Sequence, residues 1–401
     1  MQAADITTPF ISAESMGCVA ESDWHRYPKG RISPGELLIE VKGRAEKIAL
    51  VPEDFPNNTL VTGSCFKLNT YEKVDQYFLA AYLTCRHGQI LKDRLKTNLL
   101  VSYLAKDDLY RLPVPRVSTK LKELIRSVFD SCFLEHRKGN AFLKDAEMGL
   151  IQALSLENWQ APELLSYVGN SSQAFSAERL DAEYFNPAKS AALVTLRAAS
   201  DFTVGDLFSS IRQLWHPDDG MPTDLVRNYD LNDALTPFLN GAKAPVARAE
   251  IASTKKCIRA GDLVVSRLRS YLREIAVVEL GGAYPMVAST EYVVLRQREE
   301  ALLSVEALLV YLRSPLPQLV FKWSQDGSNH PRFDEKELLR MPVPRALIDD
   351  SARYVKAMQN LKTAKQRAAR FFDAAKRAVE IAIEQDEAAG MAYLARVGAL
   401  T

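Results

Sequence analysis

The chain has 401 residues, 47% of them apolar and 25% charged, with a formal net charge of +1. That length fits two or three domains, and the near-neutral total excludes a uniformly basic nucleic-acid binder while leaving room for local basic patches. The five Cys are scattered with no Cys-x-x-Cys, which excludes a disulfide framework or zinc finger and reads as reduced thiols in a cytosolic protein.

In chain order, MQAADITTPF lacks the basic and apolar regions of a signal peptide. No apolar run approaches the roughly 18 residues that span a membrane. Ser33–Val41 (SPGELLIEV), Lys47–Val51 (KIALV) and Leu60–Leu68 (LVTGSCFKL) read as three strands, the first fed by a turn at Gly35. A short helix follows around Tyr82, then a loop, then "RLPVPR" at Arg111–Arg116. The order recurs after an offset of about 226 to 229 residues. Arg259–Arg267 (RAGDLVVSR), Glu274–Val278 (EIAVV), Met286–Val294 (MVASTEYVV), a helix around Tyr311 and "RMPVPR" at Arg340–Arg345 repeat the first set. Two prolines one residue apart suit neither a helix interior nor a central strand, so each Pro-Val-Pro is expected to be a stiff, extended connector.

A helical pattern follows each connector. Behind Arg345 apolar or small residues recur every three or four positions from Ser351 to Ala382, a heptad-like seam. Behind Arg116 the seam runs from Leu121 to Leu154, with an interruption expected near His136–Asn140 (HRKGN), where Gly139 weakens a helix. Two such helices are expected to pack antiparallel. Residues 156–177 read as a linker, and "ERLDAEYFNPAK" (Glu178–Lys189) opens the second half. Its Asn186-Pro187 reads as a turn signal. Met1 aligns roughly with Arg227, so the first unit is expected to lack its opening strands.

No catalytic constellation stands out. There is no Asn-Pro-Pro-aromatic site for a flipped base, no Gly-rich strand–turn–helix for a nucleotide, and no paired carboxylates with Lys in nuclease spacing. The chain reads as non-enzymatic and needs no cofactor or metal.

Candidate contact residues cluster at matching places in the two halves. In "SRLRSYLRE" an extended chain would put Arg267, Arg269, Tyr271 and Arg273 on one face. Arg grips phosphate and reads guanine bidentately; the same charges also fit a solvated edge strand. "FKWSQDGSNHPRF" supplies Lys322, Trp323, Gln325, Asn329, His330 and Arg332, a mixture that suits groove contacts or a plain turn. In the first half "EVKGRAEK" carries Lys42, Arg44 and Lys47, and "KDRLKTNLL" carries Lys92, Arg94, Lys96 and Asn98. The last helix has eight Lys/Arg between Arg353 and Arg377, which fit a solvated face, phosphate contact or an acidic partner.

The ordered set "PGELLIEVKG", "DDLYRLPVP", "ERLDAEYFNP", "AGDLVVS", "STEYVVL" and "GSNHPRFDEKELLRMPVP" resembles the DNA specificity (S) subunit of Type I restriction–modification systems. Both "RVSTKLKEL" and "RALIDDSAR" lack the Gln that the family places after the connector, the mark of a divergent member. The resemblance implies an α+β chain with two β-rich target recognition domains, each followed by a long helix, the helices pairing as an antiparallel coiled coil. It divides the chain at 1–116, 117–155, 156–177, 178–345 and 346–390. It implies a cytoplasmic partner of double-stranded DNA, of methyltransferase (M) subunits and of a restriction/translocase (R) subunit in phage defence, with no membrane. A helix of about 35 residues is roughly 50 Å long, which matches on the order of 15 base pairs and suits a bipartite, asymmetric target. The competing reading is a coiled-coil scaffold with two β-rich protein-interaction modules.

Overall fold

The computed structural model describes residues 1–12, 16–97, 102–218 and 223–398. The chain forms two compact units: unit 1 is Met1–Gly139 with Lys362–Thr401, and unit 2 is Asn140–Leu361. In unit 1, strands β1 (Leu37–Glu40), β2 (Ile48–Leu50) and β3 (Cys65–Leu68) make an antiparallel sheet with β1 central. Helices α1 (Lys73–Thr84), α2 (Arg86–Leu95) and α3 (Lys106–Tyr110) follow, then the first connector and α4 (Thr119–Ala153). Unit 2 repeats this order as β4 (Leu263–Ser266), β5 (Ile275–Val278), β6 (Tyr292–Gln297), α5 (Val305–Arg313) and α6 (Pro315–Ser324). A hairpin of β7 (Gln325–Asp326) and β8 (Arg332–Phe333), α7 (Glu335–Leu339), β9 (Pro342–Pro344) and α8 (Ser351–Glu384) complete the series, and α9 (Glu387–Gly398) returns to unit 1.

The repeat holds at the level of single bonds. Leu37 lies opposite Leu50 and Leu68, and Leu263 opposite Val277 and Leu295. The turn into each central strand needs a left-handed residue, and Gly35 (φ 83°) and Gly261 (φ 84°) supply it. Their amides donate to Val51 O at 2.8 Å and Val278 O at 2.9 Å. The next residue is a buried acid that accepts the amide three positions back, Ser33 N to Glu36 and Arg259 N to Asp262, each at 2.9 Å. Tyr82 Oη donates to Pro113 O and Tyr311 Oη to Pro342 O, so one Tyr pins each connector.

Four features differ from expectation. The third strand of unit 2 is two strands, because the chain turns at residues 289–291: Met286–Ala288 enters one sheet and β6 another. Both sheets have five strands. One runs Phe238–Leu239, β5, β4, β6, Phe208–Ile211; the other runs Val246–Ala247, Leu225–Tyr229, Met286–Ala288, Lys255–Ile258, Leu214–Trp215. Second, α4 is unbroken through Gly139. Its apolar seam outweighs the ~1 kcal/mol that one Gly costs a helix. Third, Asn186 is a helix start, its side chain capping Ala188 N at 2.9 Å with Pro187 in the first turn. Fourth, the second connector pairs as a short strand, Val343 opposite Phe202.

Each unit has its own core. In unit 1, Leu121, Ile125, Phe129 and Cys132 of α4 join Ala368, Phe372, Ala375 and Val379 of α8. Phe129 meets Phe372 edge-on at 5.7 Å, Glu135 meets Arg367 at 3.8 Å, and Ser118 N donates to Glu387 at 3.0 Å, so here the two helices run antiparallel. In unit 2, Ala146 and Leu150 share a core with Tyr354, Met358 and Leu361.

Two outcomes follow from this packing. Pro342 is buried while Pro113 is exposed, so Tyr311→Phe leaves a carbonyl without water. It should cost about 1–3 kcal/mol in urea unfolding, with Tyr82→Phe costing less than half as much. In unit 1, the Phe10 ring stacks on His136 at 3.6 Å. Burial, with Lys365 alongside, pushes the His136 pKa down from 6.5 to about 4. The unfolded chain therefore takes up that proton first, and its contribution to stability, full above pH 6.5, falls as pH drops toward 4. His136→Phe keeps the stack and should flatten the stability–pH curve in that window, read by denaturant midpoints.

Candidate nucleic-acid interface

In unit 2 the two nominated segments are bolted together by backbone, and in unit 1 the first is bolted to residues 102–104, just beyond the second. In unit 2, Phe333 N donates to Arg267 O at 3.2 Å and Arg269 N to Pro331 O at 2.9 Å, with Leu268 bridged to Arg332. In unit 1, Leu104 N donates to Val41 O at 2.9 Å and Gly43 N to Ser102 O at 2.8 Å, with Lys42 bridged to Tyr103. Thr97 is bridged to Tyr103 as Asp326 pairs with Arg332. A side chain completes each frame, Lys96 Nζ on Arg44 O and Gln325 Nε2 on Ser270 Oγ.

The expected single face of Arg267, Arg269, Tyr271 and Arg273 does not form. β4 ends at Ser266, and Ser270–Leu272 is a 3-10 turn bracketed by Arg269 (φ 49°) and Arg273 (φ 50°). Pairing with the hairpin turns the chain out of the strand direction. Arg267 is half-buried and 3.7 Å from Glu291. Arg269 Nη2 lies 3.1 Å from His330 Nδ1. Tyr271 is exposed, and Arg273 O accepts from Arg313 Nη1 at 2.7 Å.

The loop residues divide in the same way. Lys322 and Trp323 belong to α6, with Lys322 Nζ 4.7 Å from the Trp323 ring and the indole N–H buried without a hydrogen bond. Asn329 and His330 are exposed at the hairpin turn, where Gly327 has φ 96°. Arg332 donates to both oxygens of Glu291 at 2.6–3.1 Å, which holds that carboxylate below its usual range. Arg332 is thus engaged with Glu291 and the half-buried Arg269 with His330, while Tyr271, Asn329 and His330 are exposed.

In unit 1, Lys42, Arg44 and Arg94 are exposed. Lys47 Nζ donates to Ala3 O at 3.0 Å, and Lys96 also pairs with Asp93 at 2.6 Å. Asn98 lies outside the described residues. Lys92 is no surface contact. It is fully buried in α2, donates to Ala45 O at 2.7 Å, and burial pushes its pKa down to about 8. On α8, Arg367, Lys376 and Arg377 are ion-paired within unit 1, as a solvated helix face would be.

Sequence reasoning missed a partly buried network beside the unit 2 hairpin. Arg179, Asp181, Tyr184 and Lys189, all from "ERLDAEYFNPAK", meet Ser324 and Glu337 there. Burial and the neighbouring Glu337 push the Tyr184 hydroxyl up to about 12. Burial opposes the charge on Glu337, yet Lys189 and the Tyr184 and Ser324 hydroxyls hold its pKa below the usual value. The alternation of charged and aromatic residues in that stretch was the available signal.

A left-handed Arg costs roughly 1 kcal/mol or more, and unit 1 places Gly43 (φ 94°) at the matching position. Unit 2 keeps an Arg at that position, as it does at Arg273 (φ 50°). Arg269→Gly relieves the strain and adds chain entropy of similar size. Unfolding free energy should stay within about 1 kcal/mol of the parent, as checked by urea titration.

Fold and frame define a two-fold repeat in which each unit presents polar side chains from a bolted loop pair and leads into a long helix. No family model matches the chain, and no curated protein matches it. Among solved structures, the chain is similar to the HsdS subunit from Thermoanaerobacter tengcongensis at 14% identity, covering 89% of this chain and 82% of that one, with TM-score 0.29. It is also similar to the Type-I restriction-modification system S subunit from M. genitalium at 12% identity, covering 87% and 83%, with TM-score 0.36. A third similar chain comes from a structure addressing complex assembly and conformational transition of the type I R-M system, at 13% identity, 98% and 90% coverage and TM-score 0.28. Among the described residues, no helix is long and apolar enough to cross a membrane.

Proposed function

We propose that this chain is the non-catalytic, sequence-reading subunit that directs a Type I restriction–modification complex to a bipartite, asymmetric DNA site. The carrying observation is the frame built twice: the same backbone bonds join the same two segments in each unit, while the outward side chains differ. Unit 2 offers Arg269, Tyr271, Asn329 and His330; unit 1 offers Lys42, Arg44 and Arg94. Arg and Asn are the side chains that pair bidentately with guanine and adenine in the major groove, and Lys serves the phosphates. Two frames with unlike side chains read unlike half-sites.

In this reading residues 1–116 and 178–345 are target recognition domains, and 117–155 and 346–390 are the helices of an antiparallel coiled coil. α4 and α8 have 35 and 34 residues, roughly 50 Å each. Their outer faces would dock methyltransferase (M) subunits and the complex would recruit a restriction/translocase (R) subunit in the cytoplasm. Arg267 and Arg332 brace the frame through Glu291, as Lys96 and Gln325 do through their own bonds; Lys47 is tied to Ala3 O, and Lys322 and Trp323 flank the unit 2 frame.

The test is to map methylated adenines in cells that carry the chain with its neighbouring methyltransferase. A bipartite, non-palindromic motif is expected, and Arg269→Ala should change or relax one half of it while the complex still assembles. Loss of assembly with an unchanged motif, or no motif dependent on the chain, would favour the scaffold reading instead.

A further inference from the structure

We propose that Arg179 and Glu337 are positioning residues for DNA reading: together they clamp both flanks of the β7–β8 hairpin and so aim Arg269 and His330. This deepens the DNA-reading assignment of unit 2 and rests on it.

Arg179 bonds Asp181 with Nε and Nη2, each at 2.6 Å, and Nη2 also donates to Gln325 O at 3.1 Å. Its guanidinium sits 4.6 Å from the Tyr184 ring centroid. The acceptor lies just past Ser324, the last residue of α6, where a helix leaves carbonyls without partners and a cation is favoured. On the other flank, Glu337 of α7 accepts from Tyr184 Oη at 2.7 Å and Ser324 Oγ at 3.0 Å, and pairs with Lys189 Nζ at 3.1 Å. Tyr184 therefore touches both ends of the clamp.

The link to the reading side chains is short. Gln325 pairs with Phe333, whose amide donates to Arg267 O, and Arg269 N donates to Pro331 O between them. A displaced Gln325 carbonyl moves the hairpin that carries His330 and, through Pro331 O, the backbone of Arg269. Arg269 Nη2 is held 3.1 Å from His330 Nδ1, so the two side chains move as a pair.

The chemistry of the clamp fits positioning better than simple stabilisation. Well-packed apolar residues would often hold α6 on α7 as well as a buried ion pair does, but only directional bonds fix one pose. Unit 1 shows that the frame itself does not need this clamp. Asp108 stands at the place of Glu337 and lies 3.9 Å from Arg111. There Lys92 and Lys96 brace the frame through Ala45 O and Arg44 O. Each unit thus secures one backbone frame with its own polar set.

The test compares Arg179→Gln, Glu337→Gln and the milder Ser324→Ala with the parent full-length chain, assembled with its methyltransferase. The probes are a duplex bearing the mapped site and one with the unit 2 half-site scrambled. Arg179→Gln and Glu337→Gln should each lower the preference for the mapped duplex by about tenfold. The slope of log affinity against log salt should stay the same, because neither residue holds a phosphate. Without DNA, amide exchange in Gln325–Phe333 should accelerate. Arg179→Lys, which keeps the cation but loses the fork, should fall between parent and Arg179→Gln. An unchanged preference in folded Arg179→Gln and Glu337→Gln overturns the proposal, as does loss of specific and non-specific binding together. If either variant fails to fold, Ser324→Ala decides by the same preference and exchange readouts. If the parent itself shows no preference, the DNA-reading assignment fails, and the clamp stands or falls on the exchange of Gln325–Phe333 alone.

Discussion

The structure depends on backbone hydrogen bonds between two segments that are distant in sequence. One leaves the central strand of each sheet; the other precedes the short helix before the connector. Val41 O with Leu104 N, and Arg267 O with Phe333 N, close the same loop pair in both units. Backbone bonds tolerate any side chain, so a frame made from them can stay constant while its side chains change. That property suits a protein whose contact residues differ between repeats on one scaffold. The Tyr82 and Tyr311 hydroxyls extend the constraint to the connectors, where prolines remove amides and leave carbonyls to be satisfied.

Several charged groups are buried in the two units. Lys92 is wholly buried, and Lys189, Glu337, Glu274 and Asp262 are removed from most or all solvent. Burying a charge is costly unless it is paired and hydrogen-bonded. Asp262 meets this with Arg296 at 2.7 Å, Glu337 with three partners, and Lys92 with a carbonyl at the turn that carries Lys42 and Arg44. Apolar packing supplies most of the cohesion of each core. The buried polar groups add directional bonds to that cohesion.

What the sequence made legible follows from which features are local. The repeat could be read because its strands, its Tyr and its Pro-Val-Pro each leave a pattern in a short window. The alternation assigned to Arg267–Arg273 failed because a partner segment far along the chain bends that stretch, and no window containing it reports the partner. The break expected at Gly139 failed for a related reason: helix propensity is weak against a seam anchored by Phe129 and Ala146 on either side. Lys92 looked like a solvated loop cation because burial of a Lys depends on tertiary acceptors. The clamp was visible only as a string, "ERLDAEYFNPAK", whose purpose lies in contacts with residues around 324 and 337.

The backbone angle at Arg269 connects these levels. At the matching place unit 1 has Gly43, which takes a left-handed angle without strain. Unit 2 has a half-buried Arg in the same region, bonded to an exposed His. Strain relief and added chain entropy offset each other there, so stability alone does not choose between Gly and Arg. The difference shows that one unit spends its frame position on a side chain with five donors, and the other spends none there and presents Lys42 and Arg44 beside it. In the proposed function it is this inequality of occupants on matching frames, not the repeat, that carries the asymmetry of the target.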